Sequence, residues 1–218
     1  LYYVGSDSFS YEVYDPFLST VDQAVVTVVV SGLDIAPSGS SWTDPNYSIE
    51  MVKISSGTFL MGSPETEVDR NTSEGFQRTV TISKDFYLGK YEVTQGQWEA
   101  VMGLSTAWIN ESPSVEYGKS NLHPAYYVSW EDINKVDGFL DKLNQASGCD
   151  MSELTTDAST RYHPDSVPSN CYRLPTESEW EYSVRADTTT RFSHGDDEDY
   201  VELENYAWYA ENSLKFGI

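Results

Sequence analysis

A cluster of charged residues near the end of the chain is the strongest candidate for acid or base chemistry. Arg173 precedes Glu177, Glu179 and Glu181 in the segment YRLPTESEWEYSVRA. Carboxylates held close together shift one another's pKa and serve as general acids and bases. Thr176 and Glu179, however, have the spacing of a helix capping box, which already assigns Glu179 a structural role. We therefore predict helix capping and a core ion pair with Arg173 here, not catalysis.

The three histidines do not form a site. His123, His163 and His194 lie beside Pro or Gly in polar segments. None has a Ser, Cys or second His at the spacing that a catalytic pair or metal site needs. We predict surface or packing roles for them, and no catalytic residue is identified in the chain.

The two cysteines predict a disulfide. Cys149 and Cys171 flank a polar run rich in Ser, Thr and Pro, which is typical of a surface loop. A disulfide implies an oxidising compartment, so we expect an extracellular or cell-surface protein, with the periplasm as the alternative. Two unrelated buried thiols, or a metal-binding or redox pair, remain open as other readings.

Composition limits the classes of partner. The chain has 35 acidic and 13 basic residues, for a formal charge of -22. Nucleic acid is not an expected partner, because binding a phosphate backbone needs a cationic surface. Carboxylates suit calcium, although a solvated acidic surface explains them as well. The sequence has no apolar run near the roughly 20 residues that span a bilayer, so no membrane span is predicted.

The chain divides into three predicted regions. Residues 1–32 alternate as two strands and predict the closing part of an all-β sandwich. Residues 33–47 are rich in Ser, Pro and Gly, which is typical of a linker. Residues 48–218 predict a domain of short strands and three helices, and this mixture favours the α+β class.

Capping signals define the three predicted helices. The first begins at Thr94, with Gln97 completing a capping box. The second begins at Ser129 and is predicted to run as one amphipathic helix to near Gly148. The third begins at Thr176. Large aromatic residues are predicted to anchor the core, and these are Trp130, Trp180 and Trp208.

Five segments in order resemble the sulfatase-modifying-factor family, to which the formylglycine-generating enzymes belong. They are MVKISSGTFLMGS, FYLGKYEVTQGQWEAVMG, YYVSWEDINKVDGFLDKLN, YRLPTESEWEYSVRA and HGDDEDYVELENYAWYAENS. The resemblance implies a C-type-lectin-like α+β fold of low secondary-structure content, incomplete at its C-terminus in this chain. The N-terminal GSDSFSYEVYDPF and TVDQAVVTVVVSG resemble the last strands of bacterial cadherin-like or immunoglobulin-like repeats.

The resemblance transfers no catalytic residue. The oxidising members of the family use a cysteine pair late in the domain, which binds copper and converts a substrate cysteine to formylglycine. Cys149 and Cys171 do not match that pair, so copper is expected only if two further cysteines follow residue 218.

A calcium site is implied by the resemblance at the end of the chain. Asn205 matches a family ligand through its side-chain oxygen, and Tyr206 matches one through its backbone carbonyl. The other reading of Asn205 is that its side chain caps a turn. The acidic run at residues 196–199 is interpreted as a solvated loop.

Two main functional hypotheses follow. The first is a non-catalytic binding module, stabilised by calcium, for a protein or glycan ligand. The alternative is part of a copper-dependent oxidase acting on a sulfatase-type peptide. A structural spacer is a third reading.

Overall fold

The computed structural model shows short strands and helices joined by long loops. It describes residues 29–30, 40–68, 70–71, 76–103, 119–126, 128–164, 166–168, 170–197 and 199–206. The strands are β1 (Val29–Val30), β2 (Ser41–Thr43), β3 (Glu50–Ile54), β4 (Gly57–Met61), β5 (Arg78–Ile82), β6 (Phe86–Gly89) and β7 (Tyr172–Arg173). The helices are α1 (Gln95–Met102), α2 (Trp130–Asn134), α3 (Phe139–Ala146), α4 (Ala158–Arg161), α5 (Glu177–Arg185) and a 3-10 turn (Leu203–Asn205). This mixture confirms the prediction of strands and helices with low secondary-structure content.

The strands form two antiparallel sheets. The larger sheet has the order β2-β3-β6-β1-β7, and the smaller one pairs β4 with β5. β1 lies between β6 and β7, where Val29 is opposite Leu88 on one side and Arg173 on the other. Residues more than 140 positions apart in the sequence, Val29 and Arg173, therefore meet in one sheet.

The predicted domain boundaries stay predictions, but two strands fall outside the range 48–218. β2 lies in the predicted linker and pairs with β3. β1 lies in the predicted β-sandwich fragment, and the remainder of that fragment is outside the described residues. Within the described part of the chain, no helix is long and apolar enough to cross a membrane.

The main core lies between the larger sheet and helices α1 and α3. Trp98 of α1 stacks on Phe139 of α3 with ring centroids 4.7 Å apart, and both side chains are fully buried. Asn144 of α3 holds the edge strand β7, because its side-chain oxygen accepts from the Tyr172 amide at 2.6 Å and its amide group donates to the Tyr172 carbonyl at 2.9 Å. The helix layer is thus fixed to the sheet by both packing and hydrogen bonds.

The prediction of one helix from Ser129 to Gly148 was wrong. The structure has α2 and α3 there, separated by a turn in which Asp137 has a φ of 59°. Gly138 lets the chain turn tightly, since a Cβ there would lie 2.7 Å from the carbonyl oxygens of Asp132 and Lys135. An Asp-Gly pair is a turn signal, and here it overrides the apolar stripe.

Both predicted capping boxes form, and a third, which was not predicted, forms at Ser129. Thr94 with Gln97, Ser129 with Asp132, and Thr176 with Glu179 each exchange both side-chain-to-backbone hydrogen bonds. Because a capping box satisfies backbone groups that the helix leaves open, these local signals fix where α1, α2 and α5 begin.

Cys149 and Cys171 are joined in a disulfide with their Cα atoms 5.4 Å apart. Both side chains are buried, and Cys171 directly precedes β7. The bond therefore connects the end of α3 to the edge strand that Asn144 also holds.

We expect the double substitution Cys149→Ala with Cys171→Ala to lower the free energy of unfolding by about 3 kcal/mol. The reason is that the bond restrains a loop whose ends are 22 residues apart in the unfolded chain. Urea denaturation of oxidised protein measures the difference. In the presence of dithiothreitol, which reduces the bond, the original protein and the variant should unfold at the same urea concentration. If the variant still unfolds at a lower urea concentration, the lost stability comes from packing of the cysteine side chains and not from the bond.

Candidate functional site

Helix α5 forms one wall of the candidate site, and a buried ion pair sets its position. Arg173 of β7 donates two hydrogen bonds of 2.6 Å to the Glu179 carboxylate, which also accepts from the Thr176 amide at 2.9 Å. The Arg173 side chain is only 3% exposed. Burial alone would raise the pKa of Glu179, but the hydrogen bonds and charge of Arg173 outweigh it and hold that pKa below its ordinary value.

A second ion pair fastens α5 to the smaller sheet. Glu181 accepts from the Gly62 amide at 2.7 Å and from Arg185 at 2.8 Å, and Arg185 donates back to the Gly62 carbonyl at 2.9 Å. Gly62 follows β4 and has a φ of 90°, a conformation that favours glycine. The predicted structural role of the acidic cluster is therefore confirmed for Glu179 and Glu181.

An open groove of about 860 Å³ lies beside α5, and we call it the α5 groove. Glu177, Trp180, Glu181 and Val184 all line it, and their spacing places them on one face of the helix. Trp180 and Val184 are each 43% exposed. Such a volume is within the range of ligand pockets, about 300 to 1,000 Å³.

The prediction that the tryptophans anchor the core was wrong for two of them. Trp180 lies on the α5 groove, and Trp130 at the start of α2 is 46% exposed. Trp208 lies outside the described residues. An apolar residue repeated at i and i+4 indicates a helix face but does not say whether protein or solvent covers that face.

A stack of three rings also lines the groove. His194 packs between Phe192 and Tyr206, with centroid distances of 5.3 Å and 4.0 Å. Its Nε2 lies 3.5 Å from an Asp197 carboxylate oxygen. The packing role predicted for His194 is confirmed, whereas Phe192 was not among the residues predicted for the site.

The other two histidines lie away from this stack. The His123 carbonyl accepts from the Gln95 amide at 2.7 Å, and the His163 carbonyl accepts from the amides of Ser166 and Val167. These backbone contacts hold loops in place, and neither histidine lines the α5 groove.

Asn205 and Tyr206, the predicted calcium ligands, end the 3-10 turn. The Asn205 side-chain nitrogen donates to a Glu202 carboxylate oxygen at 3.2 Å. Among the described residues no three His, Cys, Asp or Glu side chains are grouped to hold a metal ion. Calcium takes six to eight oxygen ligands, so a site at Asn205 and Tyr206 would need further oxygen ligands, and the calcium site stays a prediction.

Copper chemistry has no thiolate to use in this chain. Both cysteines are consumed by the disulfide between α3 and β7, and no free cysteine is left. A disulfide sulfur is not the ionised thiol that binds a metal.

Comparison with known proteins identifies the family. The model of the sulfatase-modifying factor enzyme 1-like domain matches residues 40–216, which is most of the chain. The chain belongs to this family. The match begins just before β2 and includes α5 and the ring stack that lines the α5 groove.

Several relatives of this sulfatase-modifying-factor domain extend the comparison. A protein named chaperone protein LppX from Paenibacillus barcinonensis is 30% identical over 199 residues, 87% of this chain and 62% of that protein. Mouse formylglycine-generating enzyme is 27% identical over 175 residues, 72% of this chain and 45% of the enzyme. The structure of PvdO from Pseudomonas aeruginosa superposes with a TM-score of 0.51 at 25% identity, covering 69% of this chain and 52% of PvdO. The chain therefore spans about half to three fifths of these relatives.

Substituting Glu179 tests whether its ion pair holds α5 in place. We expect Glu179→Gln to lower the free energy of unfolding at pH 7 by about 3 to 5 kcal/mol, because it removes the charged group that accepts two hydrogen bonds from the buried Arg173. Since the folded pKa of Glu179 is depressed, its contribution is present above the unfolded pKa of about 4.3 and is lost as the pH falls through the folded pKa. The deficit of the variant should therefore shrink in acid.

The matched control is Glu177→Gln in the same turn of α5. Within the described part of the chain, the Glu177 side chain has no hydrogen bond or ion pair, so its loss removes only a favourable charge at the helix N-terminus, worth less than about 1 kcal/mol. Urea titrations from pH 3 to pH 7 compare the two variants. Equal losses of unfolding free energy in the two variants, or a loss in Glu179→Gln that does not change with pH, would contradict the stabilising role of the Arg173–Glu179 ion pair.

Proposed function

We propose that this sulfatase-modifying-factor domain is an extracytoplasmic, non-catalytic module that binds a protein or glycan ligand in the α5 groove. The observation that carries the proposal is the exposed Trp180 on a helix held by two ion pairs. An exposed aromatic ring on a rigid element is the usual anchor of a binding surface, because it buries a large area with little loss of side-chain freedom.

The rigidity of the groove supports this reading. Arg173–Glu179 fixes the start of α5, and Glu181–Arg185 fixes its middle and end to the turn at Gly62. A pre-formed wall lowers the entropy lost on binding. Trp180 and Val184 then present apolar area without any rearrangement of the fold.

The proposed location follows from the disulfide. Disulfides persist in oxidising compartments, and the Cys149–Cys171 bond supports an extracellular or cell-surface position, with the periplasm as the alternative. A large acidic excess favours solubility, which is compatible with such a location.

The alternative proposal is a part of a formylglycine-generating oxidase. It is favoured by the similarity to mouse formylglycine-generating enzyme, of which this chain matches 45%. The copper-binding cysteines would have to come from beyond residue 218, because both cysteines here are bonded to each other. The α5 groove would then contribute to holding a sulfatase-type peptide.

Trp180→Ala tests the binding module. On arrays of immobilised peptides and neutral glycans, we expect the variant to lose about tenfold in affinity for whatever the original protein binds, as is typical of an aromatic anchor. Trp130→Ala is the control, since Trp130 has nearly the same exposure and lies on another helix. Equal effects of the two substitutions would exclude the α5 groove as the binding surface.

Calcium stabilisation remains part of the proposal, and we expect it to be weak in this chain. With a dissociation constant near 1 mM, 1 mM calcium would stabilise the fold by only about 0.4 kcal/mol. Thermal unfolding with calcium or with EDTA measures the shift in Tm, and Asn205→Ala should abolish it. A shift that survives this substitution would place the ion elsewhere.

A further inference from the structure

We propose that the ligand of the α5 groove is a basic peptide segment, whose lysine or arginine side chain lies on Trp180 and beside Glu177. This inference rests on the proposed function and gives its ligand a chemistry. It depends on which charges along the groove are already neutralised and which are left for a ligand.

The cations of the groove are largely engaged by the protein itself. Lys90 pairs with Glu50 at 3.1 Å, and Arg185 pairs with Glu181 at 2.8 Å. Arg191 lies over the rings of Phe192 and Tyr200. Of the positive charges that line the groove, these three are therefore placed by contacts within the fold.

Fewer of the carboxylates that line the groove are paired with other groups of the protein than is the case for its cations. Glu67, Glu92 and Glu177 line it, and none of their side chains has a hydrogen bond or ion pair within the described part of the chain. Arg78, whose guanidinium lies 3.4 Å from the Met61 sulfur, and Arg191 are the opposing charges, because a ring contact does not neutralise a guanidinium. Three carboxylates against two guanidinium groups leave an excess of one negative charge beside the two ion pairs.

Trp180 adds a surface that a cation recognises. Glu177 and Trp180 are three residues apart on α5, so their side chains are neighbours on the groove face. A lysine or arginine placed there would meet an indole face and a carboxylate together, and both interactions attract a cation. Val184 on the same face would contact the aliphatic stem of that side chain.

The net negative charge of the whole chain also favours a cationic ligand. A formal charge of -22 attracts cationic segments over long range and repels anionic ligands, including acidic polysaccharides. A neutral glycan on Trp180 would donate hydroxyls to Glu177 but, unlike a cation, would gain nothing from the net charge of the chain. The observations together favour a basic peptide over either kind of glycan.

The test measures binding of a fluorescein-labelled hexapeptide of alternating lysine and glycine by fluorescence anisotropy at 0.05 M and 0.5 M NaCl. The same peptide with glutamate in place of lysine is the charge control, and cellohexaose is the neutral-glycan probe. We expect the lysine peptide to bind, the glutamate peptide not to bind, and the affinity to fall with salt because screening weakens charge attraction.

Two matched pairs of variants separate the groove from the acidic surface as a whole. Glu177→Gln should weaken lysine-peptide binding by about threefold to fivefold, and Trp180→Ala by about tenfold. Glu131→Gln changes the same net charge in the first turn of another helix, and Trp130→Ala removes an equally exposed indole. Both controls should leave the affinity within about 1.5-fold, as expected for surface positions away from the contact.

Each other result overturns the inference. If binding of the lysine peptide falls with salt but its affinity is unchanged by Glu177→Gln and by Trp180→Ala, the peptide is attracted to the acidic protein in general and not to the groove. Trp180-dependent binding of cellohexaose or of the glutamate peptide, without the lysine peptide, would leave the binding module standing and reject its basic ligand. If none of the probes binds and the arrays also show nothing, both proposals fail together.

Discussion

The ion pair between Arg173 and Glu179 is the constraint on which the candidate site depends. It is almost fully buried, and both of its hydrogen bonds measure 2.6 Å. A buried charge without its partner is strongly destabilising, so neither residue can be changed alone without a large loss. Because Glu179 also caps α5 through Thr176, one carboxylate joins a sheet strand to the start of the helix. The direction in which α5 presents Trp180 follows from that junction.

The two residues of strand β7, Tyr172 and Arg173, both contact parts of the fold that are distant in sequence. Tyr172 exchanges two hydrogen bonds with Asn144, and its hydroxyl donates to Asp44 at 2.8 Å. Arg173 reaches α5, and Cys171 just before the strand is bonded to Cys149. A two-residue strand has little stability from its own ladder. Side chains from α3, from the segment after β2 and from α5 hold it, and through it they connect the core to the α5 groove.

The parts of the structure that were predictable from sequence are those encoded by neighbours along the chain. The capping boxes at Thr94 and Thr176 place helix starts with local hydrogen bonds, so three or four residues suffice to identify them. The break at Asp137 was missed because the apolar stripe continues across it. The exposure of Trp180 was missed for a related reason. Periodicity identifies the apolar face of a helix, but whether other parts of the protein cover that face depends on residues distant in sequence. The charges that face the groove from Glu67 and Glu92 are likewise brought there by the fold.

Membership of the sulfatase-modifying-factor family constrains the fold more tightly than the activity. The chain is similar both to a protein named chaperone protein LppX and to one named formylglycine-generating enzyme, and it matches 62% of the first and 45% of the second. Function must therefore be argued from the residues present. Here the two cysteines stabilise the fold as a disulfide, and Glu179 and Glu181 are committed to ion pairs. Besides the guanidinium groups of Arg78 and Arg191, these structural roles leave the Trp180 indole and three carboxylates on the groove, and the proposed recognition of a cation uses that indole and Glu177.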